Sequence, residues 1–158
     1  MAMNNNLSPV FVDTNILVYA NLAHSPFHQL AITNLDNLNQ QGVDLWISRQ
    51  ILREYLAAMS RLNTLTIALP LPSLANDVKD FTTQFEIAED NQQVTEELLK
   101  LFSATAMGGK QVHDANIVAT MLVYGIERLL THNVSDFVRF SHLITIIPLV
   151  APNAATNT

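Results

Sequence analysis

Four carboxylates, far apart along the chain, carry the chemistry that this sequence could perform. Asp13 ends the apolar run Val10-Phe11-Val12 and precedes Thr14-Asn15-Ile16-Leu17. Glu54 lies within Ser48–Leu62, where Ile51, Leu52, Tyr55, Leu56 and Met59 recur at helical spacing and Arg61 shares the polar side. Asp114 stands near the start of a helical pattern over Val112–Tyr124, and Asp136 follows the apolar run Arg128–Thr131. In a parallel sheet, residues just past strand ends and in first helical turns share one edge, and ligands bind beyond that edge. Carboxylates gathered there repel one another unless a hard cation joins them, and oxygen-only donors select magnesium or manganese. Such a cation lowers the pKa of a bound water and neutralises charge developing on phosphate, so the pattern points to phosphate chemistry. Each acid also has a plainer use. Asp13 can cap the following helix, Asp114 can offset a helix dipole, and Glu54 can be a solvated surface charge.

The elements that must position these acids alternate along the chain. Strands are expected at Val10–Val12, Leu45–Ile47, Phe85–Ala88, Arg128–Thr131 and Ile144–Ile147. Helices are expected from about Asn15, over His28–Leu38, over Ser48–Leu62 with Ser48 as cap, from Ser73 to about Thr83, over Val94–Phe102, and over Val112–Tyr124 with Gly125 closing it. Strands alternating with helices indicate βαβ units and a parallel sheet covered on both faces. Residues 7–150 are expected to form one α/β domain, with 1–6 and 151–158 as flexible tails.

Composition narrows the classes. A chain of 158 residues fits a single domain, with 49% hydrophobic and 14% charged residues, as in compact globular proteins. With no cysteine, thiolate metal sites and cysteine nucleophiles are excluded. The start, Met-Ala-Met-Asn-Asn-Asn, has neither the basic nor the apolar part of a signal peptide, and the longest apolar stretch, near Ile117–Ile126, is too short for a bilayer. A soluble, cytoplasmic protein is expected. Net charge is −6, with eight Lys and Arg against fourteen Asp and Glu, which by itself argues against a nucleic-acid partner. Bound divalent cations would reverse that local charge, and Arg49, Arg53 and Arg61 fall within one short segment.

The strings Val12-Asp13-Thr14-Asn15-Ile16-Leu17, Ile51-Leu52-Arg53-Glu54-Tyr55, Val112-His113-Asp114-Ala115-Asn116-Ile117-Val118-Ala119 and Leu130-Thr131-His132-Asn133-Val134-Ser135-Asp136-Phe137 resemble PIN-domain ribonucleases, most of all the toxins of VapBC toxin–antitoxin pairs. They occur in that family's order, and the likeness extends over about residues 9 to 149. The resemblance implies a three-layer α/β/α sandwich around a parallel sheet of about five strands, and RNA cleavage dependent on magnesium or manganese. It implies that Asp13, Glu54, Asp114 and Asp136 form the metal-binding, catalytic set, with Asn15 and Thr131 orienting the carboxylates. The fourth position is ambiguous, since some members carry an acid where Asn133 stands and others at Asp136; only Asp136 supplies charge. It also implies an antitoxin partner and a homodimer. Arg49, Arg53, Arg61 and Lys110 are candidates for holding RNA phosphates.

Two other readings belong to the same residues. An aspartyl-phosphate phosphatase also places an Asp after the first strand, but commonly wants a second Asp where Asn15 stands. A non-catalytic module binding RNA or protein would have no use for four repelling acids. His24 and His28 have zinc-like spacing, but Pro26 lies between them and no third ligand is near, so a capping or surface role is expected.

Overall fold

The computed structural model describes residues 7–63 and 69–151. The expected tails, 1–6 and 151–158, lie outside those residues apart from Ala151. Five strands form one sheet: β1 (Val10–Val12), β2 (Leu45–Ser48), β3 (Glu86–Ala88), β4 (Arg128–Thr131) and β5 (Thr145–Pro148). All neighbours are parallel, in the order β3-β2-β1-β4-β5. The middle strands are short and apolar because both faces are covered: Val10, Phe11, Val12, Ile47 and Leu129 are fully buried.

This order places a topological switch point beside β1. The chain leaves β1 for β2 and β3 on one side, then returns to fill β4 and β5 on the other. Right-handed crossovers send the intervening helices to opposite faces on the two sides, leaving a crevice at the carboxyl ends of β1 and β4. The helices form two corresponding sets. In one, α1 (Thr14–Ala20) packs on α2 (His28–Gln40) and α3 (Arg49–Asn63), and α3 packs on α4 (Leu71–Gln84). In the other, α5 (Gln92–Ala104) packs on α6 (Gln111–Tyr124). A short α7 (Val134–Phe137) and a 3-10 turn (Val138–Phe140) connect β4 to β5.

The α/β class, the parallel sheet of five strands and the flanking helices are as expected from the sequence. The differences are local. The fourth helix begins at Leu71, not Ser73: Pro70 caps it and Pro72 sits in its first turn, where a missing N–H costs nothing. Leu56, counted in the apolar stripe of α3, is 37% exposed, whereas Ile51, Leu52, Tyr55 and Met59 are buried. Gly125 closes α6 in the left-handed conformation, φ 69°, as its position suggests. Among the described residues no helix is long and apolar enough to cross a membrane.

Candidate active site

Asp13 is fixed by the end of β1. Its main-chain N–H still donates to Leu130 O of β4 at 3.0 Å, so the ladder runs one bond past Val12 before α1 begins. Its side chain is 6% exposed and accepts three hydrogen bonds. Thr14 N donates to Oδ1 at 2.8 Å, Thr131 Oγ1 to Oδ2 at 2.8 Å and Asn15 Nδ2 to Oδ2 at 3.1 Å. The carboxylate is therefore the N-cap of α1 and a site acid at once. The donors are themselves fixed. Thr131 Oγ1 accepts from Asn133 N at 3.1 Å, and Asn15 Oδ1 accepts from His132 N at 3.1 Å.

Glu54 is held just as fully from two elements. Thr14 Oγ1 donates to Oε2 at 2.7 Å, and Gln50 Nε2 donates to Oε1 at 2.8 Å. Gln50, one turn earlier on α3, is only 6% exposed. Its Nε2 also donates to His113 O at 2.9 Å, and its Oε1 accepts from Asn116 Nδ2 at 2.8 Å. Because a carboxylate and a carbonyl can only accept, these partners dictate which way the amide points. One buried side chain thus ties the helix of Glu54 to the first turn of α6, where Asp114 stands.

Asp13, Thr14, Asn15, Glu54, Asp114, Asn133 and Asp136 line one cavity of about 310 Å³, together with Val18, Tyr19 and Ala58. It opens at the switch point. Burial raises the Asp13 carboxyl to about 6, against the lowering effect of its hydrogen bonds, and the Glu54 charge adds to the rise. Asp114 is raised to about 7, first by burial, then by the charges of Asp136, Asp13 and Glu54, with Arg139 opposing them. The charges of the other three acids therefore all reach Asp114, and that of Glu54 reaches Asp13. Among the described residues no three carboxylates converge as direct ligands of a single ion would. The donor set nonetheless suits magnesium or manganese: it is all oxygen, and magnesium keeps several waters that bridge to carboxylates standing further off. Carboxyls pushed up to about 6 and 7, with Arg139 opposing the rise only in part and only at Asp114, are suited to receive a cation.

Of the expected residues, Asp13, Asn15, Glu54, Asp114, Asn133 and Asp136 meet at the cavity, and Thr131 lies buried behind Asp13. The proposed phosphate-holding cations do not line it. Arg49 pairs with Glu89 at 2.8 Å on the exposed start of α3, Arg53 and Arg61 are exposed, and Lys110 precedes α6. Arg139, which sequence reasoning passed over, is the cation whose charge reaches Asp114. Thr14, Gln50 and Asn116 were also passed over; the one available signal was a polar residue a turn before Glu54 on the inner side of an amphipathic helix. His28 belongs to no group of three metal-ligating side chains among the described residues, and its Nδ1 donates to Tyr19 O at 2.9 Å. A smaller cavity of about 190 Å³, between α1, α2 and α4, contains Asp77 and Asp80 but none of the four acids.

A doubly wound domain with acids gathered at the switch point defines a fold and the place of its site rather than one activity. Residues 10–143 match the PIN domain, and the chain belongs to that family. Among solved structures it is similar to a toxin–antitoxin complex from Klebsiella pneumoniae, with 19% identity, coverage of 92% of this chain and 100% of the other, and TM-score 0.63. It is similar to VapBC2 from Rickettsia felis bound to a promoter DNA fragment, with 19% identity, 88% and 97% coverage and TM-score 0.61. It is also similar to Mycobacterium tuberculosis VapC20, a sarcin–ricin loop-cleaving toxin, with 16% identity, 76% and 86% coverage and TM-score 0.57. VapC toxins are thus among its structural neighbours, and at these identities the likeness is one of fold. No curated protein sequence matches the chain.

Proposed function

We propose that this protein is an endoribonuclease that hydrolyses RNA phosphodiester bonds with magnesium or manganese held by Asp13, Glu54, Asp114 and Asp136, and that it is the toxin of a toxin–antitoxin pair. The observation that carries the reading is the one cavity lined by four carboxylates, in which burial and the neighbouring charges raise Asp13 and Asp114. The bound cation would supply a Lewis acid and a water of lowered pKa. The chain supplies the frame. Thr131, Asn15 and Thr14 N keep Asp13 ionisable and aimed, and Gln50 with Thr14 aims Glu54. Between Asn133 and Asp136 we assign the fourth acid to Asp136, since its charge is the largest carboxylate influence on Asp114. Asn133 contributes its main-chain N–H to Thr131. The phosphatase reading is disfavoured because both ends of the Asn15 amide are spent on Asp13, Thr131 and His132.

The toxin role draws on the neighbours solved as toxin–antitoxin complexes, and brings with it a cognate antitoxin, a homodimer and a cytoplasmic setting. We take residues 7–150 as the nuclease domain. Purified protein incubated with structured and unstructured RNA should cleave with magnesium or manganese and stop with chelator. Asp114→Asn should lose at least about a hundredfold in rate while melting cooperatively. Undiminished cleavage by that variant would refute the site.

A further inference from the structure

Part of the cavity wall is aromatic. Tyr19, near the end of α1, lines the same cavity as the four acids. Its ring centroid lies 5.1 Å from Phe27, with planes at 46°, and 5.5 Å from His132, edge-on at 83°. Phe27 and His132 are 4.2 Å apart. The rings come from three separate segments, and all three are half-buried rather than core residues. Each is anchored through its backbone: His28 Nδ1 donates to Tyr19 O, Phe27 N donates to Ser25 Oγ, and His132 N donates to Asn15 Oδ1. The last of these bonds joins the rings to the frame that holds Asp13.

The charge balance gives such a surface a use. The cavity lining contains four acids and no lysine or arginine, and the chain as a whole carries −6. Phosphate contacts draw affinity from Lys and Arg, which this surface lacks, whereas stacking of bases on aromatic faces needs no charge. Resting on the ribonuclease reading, we propose that Tyr19, backed by Phe27 and His132, is a stacking platform for an unpaired base of an RNA strand whose adjoining phosphate lies at the acids. A base stacked inside a helix cannot offer its face, so the platform selects single-stranded segments or loops.

The test is equilibrium binding of end-labelled dodecauridylate, and of an abasic ribose-phosphate of the same length, to the full chain carrying Asp114→Asn, in magnesium. Adding Tyr19→Ala should weaken dodecauridylate binding by about tenfold. Tyr19→Phe should bind as the parent does. Both should bind the abasic strand equally weakly, and the salt dependence should be shallow, matching one or two phosphates. Phe27→Leu, which leaves Tyr19 in place, should give a smaller loss and serves if Tyr19→Ala fails to melt cooperatively. Unchanged affinity in these variants, or the same loss on both strands, would overturn the platform. Cleavage by the chain without Asp114→Asn separates the two ideas. Cleavage with unchanged Tyr19→Ala affinity defeats the platform alone. A base-dependent loss in a chain that cleaves no RNA with any metal upholds the platform and defeats the nuclease.

Discussion

Asp13 and Glu54 are hydrogen-bonded at both carboxylate oxygens, whereas no side-chain hydrogen bond is found on Asp114 or Asp136 among the described residues. The two halves of the site are built on different principles. The half on β1, α1 and α3 is set by donors aimed before any ligand arrives. The half on α6 and α7 is set only by the helices that carry it, and it bears the repulsion: Asp114 is raised first by burial and then by three neighbouring charges, with Arg139 opposing them. One half supplies geometry, and the other supplies the unsatisfied charge that a cation would answer.

The sharpest way to break this contrast is to neutralise one acid from each half. Asp13→Asn and Asp114→Asn should each cost at least about a hundredfold in cleavage, yet raise the metal-free melting temperature at pH 8 unequally, Asp114→Asn by the larger step because lost hydrogen bonds offset the relief at position 13. An amide at position 13 faces donors at both ends, so Asp13→Asn leaves one donor without an acceptor and loses cap strength, about 1–2 kcal/mol. Asp114→Asn has no such bonds to lose and removes repulsion, so it should melt above the parent in chelator. Equal shifts in the two variants would erase the distinction.

A second comparison lies within the looser half. Asp136→Asn should lose far more cleavage than Asn133→Ala, because only the former removes a charge felt at Asp114. The reverse ranking in the same assay would move the fourth role to Asn133.

Acidity gives a third. The Asp13 and Asp114 carboxyls are raised from 3.8 to about 6 and about 7, so the folded chain holds these protons more tightly than the unfolded chain. Their contribution is fully present below pH 4 and is lost as pH rises through 6 to 7. For Asp13 the ceiling is about 3 kcal/mol, and the half-exposed Asp114 adds less. Urea titrations in chelator should therefore show this loss between about pH 4 and 7, diminished in Asp114→Asn. A metal-free stability that rose across that range in step with the parent's carboxylates would contradict the repulsion.

Smaller effects sharpen the anchored half. Gln50→Leu strands His113 O and Asn116 Nδ2, costing about 1–3 kcal/mol of stability, and frees Glu54 Oε1, so it should also raise the manganese concentration needed for half-maximal cleavage. Arg49→Ala breaks only an exposed pair with Glu89 and should leave cleavage and melting unchanged.

Much of this was legible in the sequence. The apolar triplet ahead of Asp13 could only be a strand buried on both faces, and the near-continuous apolar run of α6 closed by Gly125 fixed the helix bearing Asp114. Residues whose value lies in contacts remote in sequence were not legible. Gln50 meets Asn116 across 66 positions and Thr14 meets Glu54 across 40, and no local period announces either. The four-residue α7 is shorter than any usable period. Arg49, Arg53, Arg61 and Lys110 were singled out by their place in the chain, and the fold turns them away from the cavity lining.

The central claim is that the four acids together form a cation site, and a pair of thermal melts tests it most directly. At a manganese concentration about a hundredfold above Kd, binding to the folded chain alone adds about 2.7 kcal/mol, or roughly 5–10 °C for a chain of this size. The account predicts that rise in the parent, and in Asp114→Asn a higher melting temperature in chelator with little further gain from manganese. A parent that manganese leaves unmoved, beside an Asp114→Asn variant less stable than it, would contradict the account.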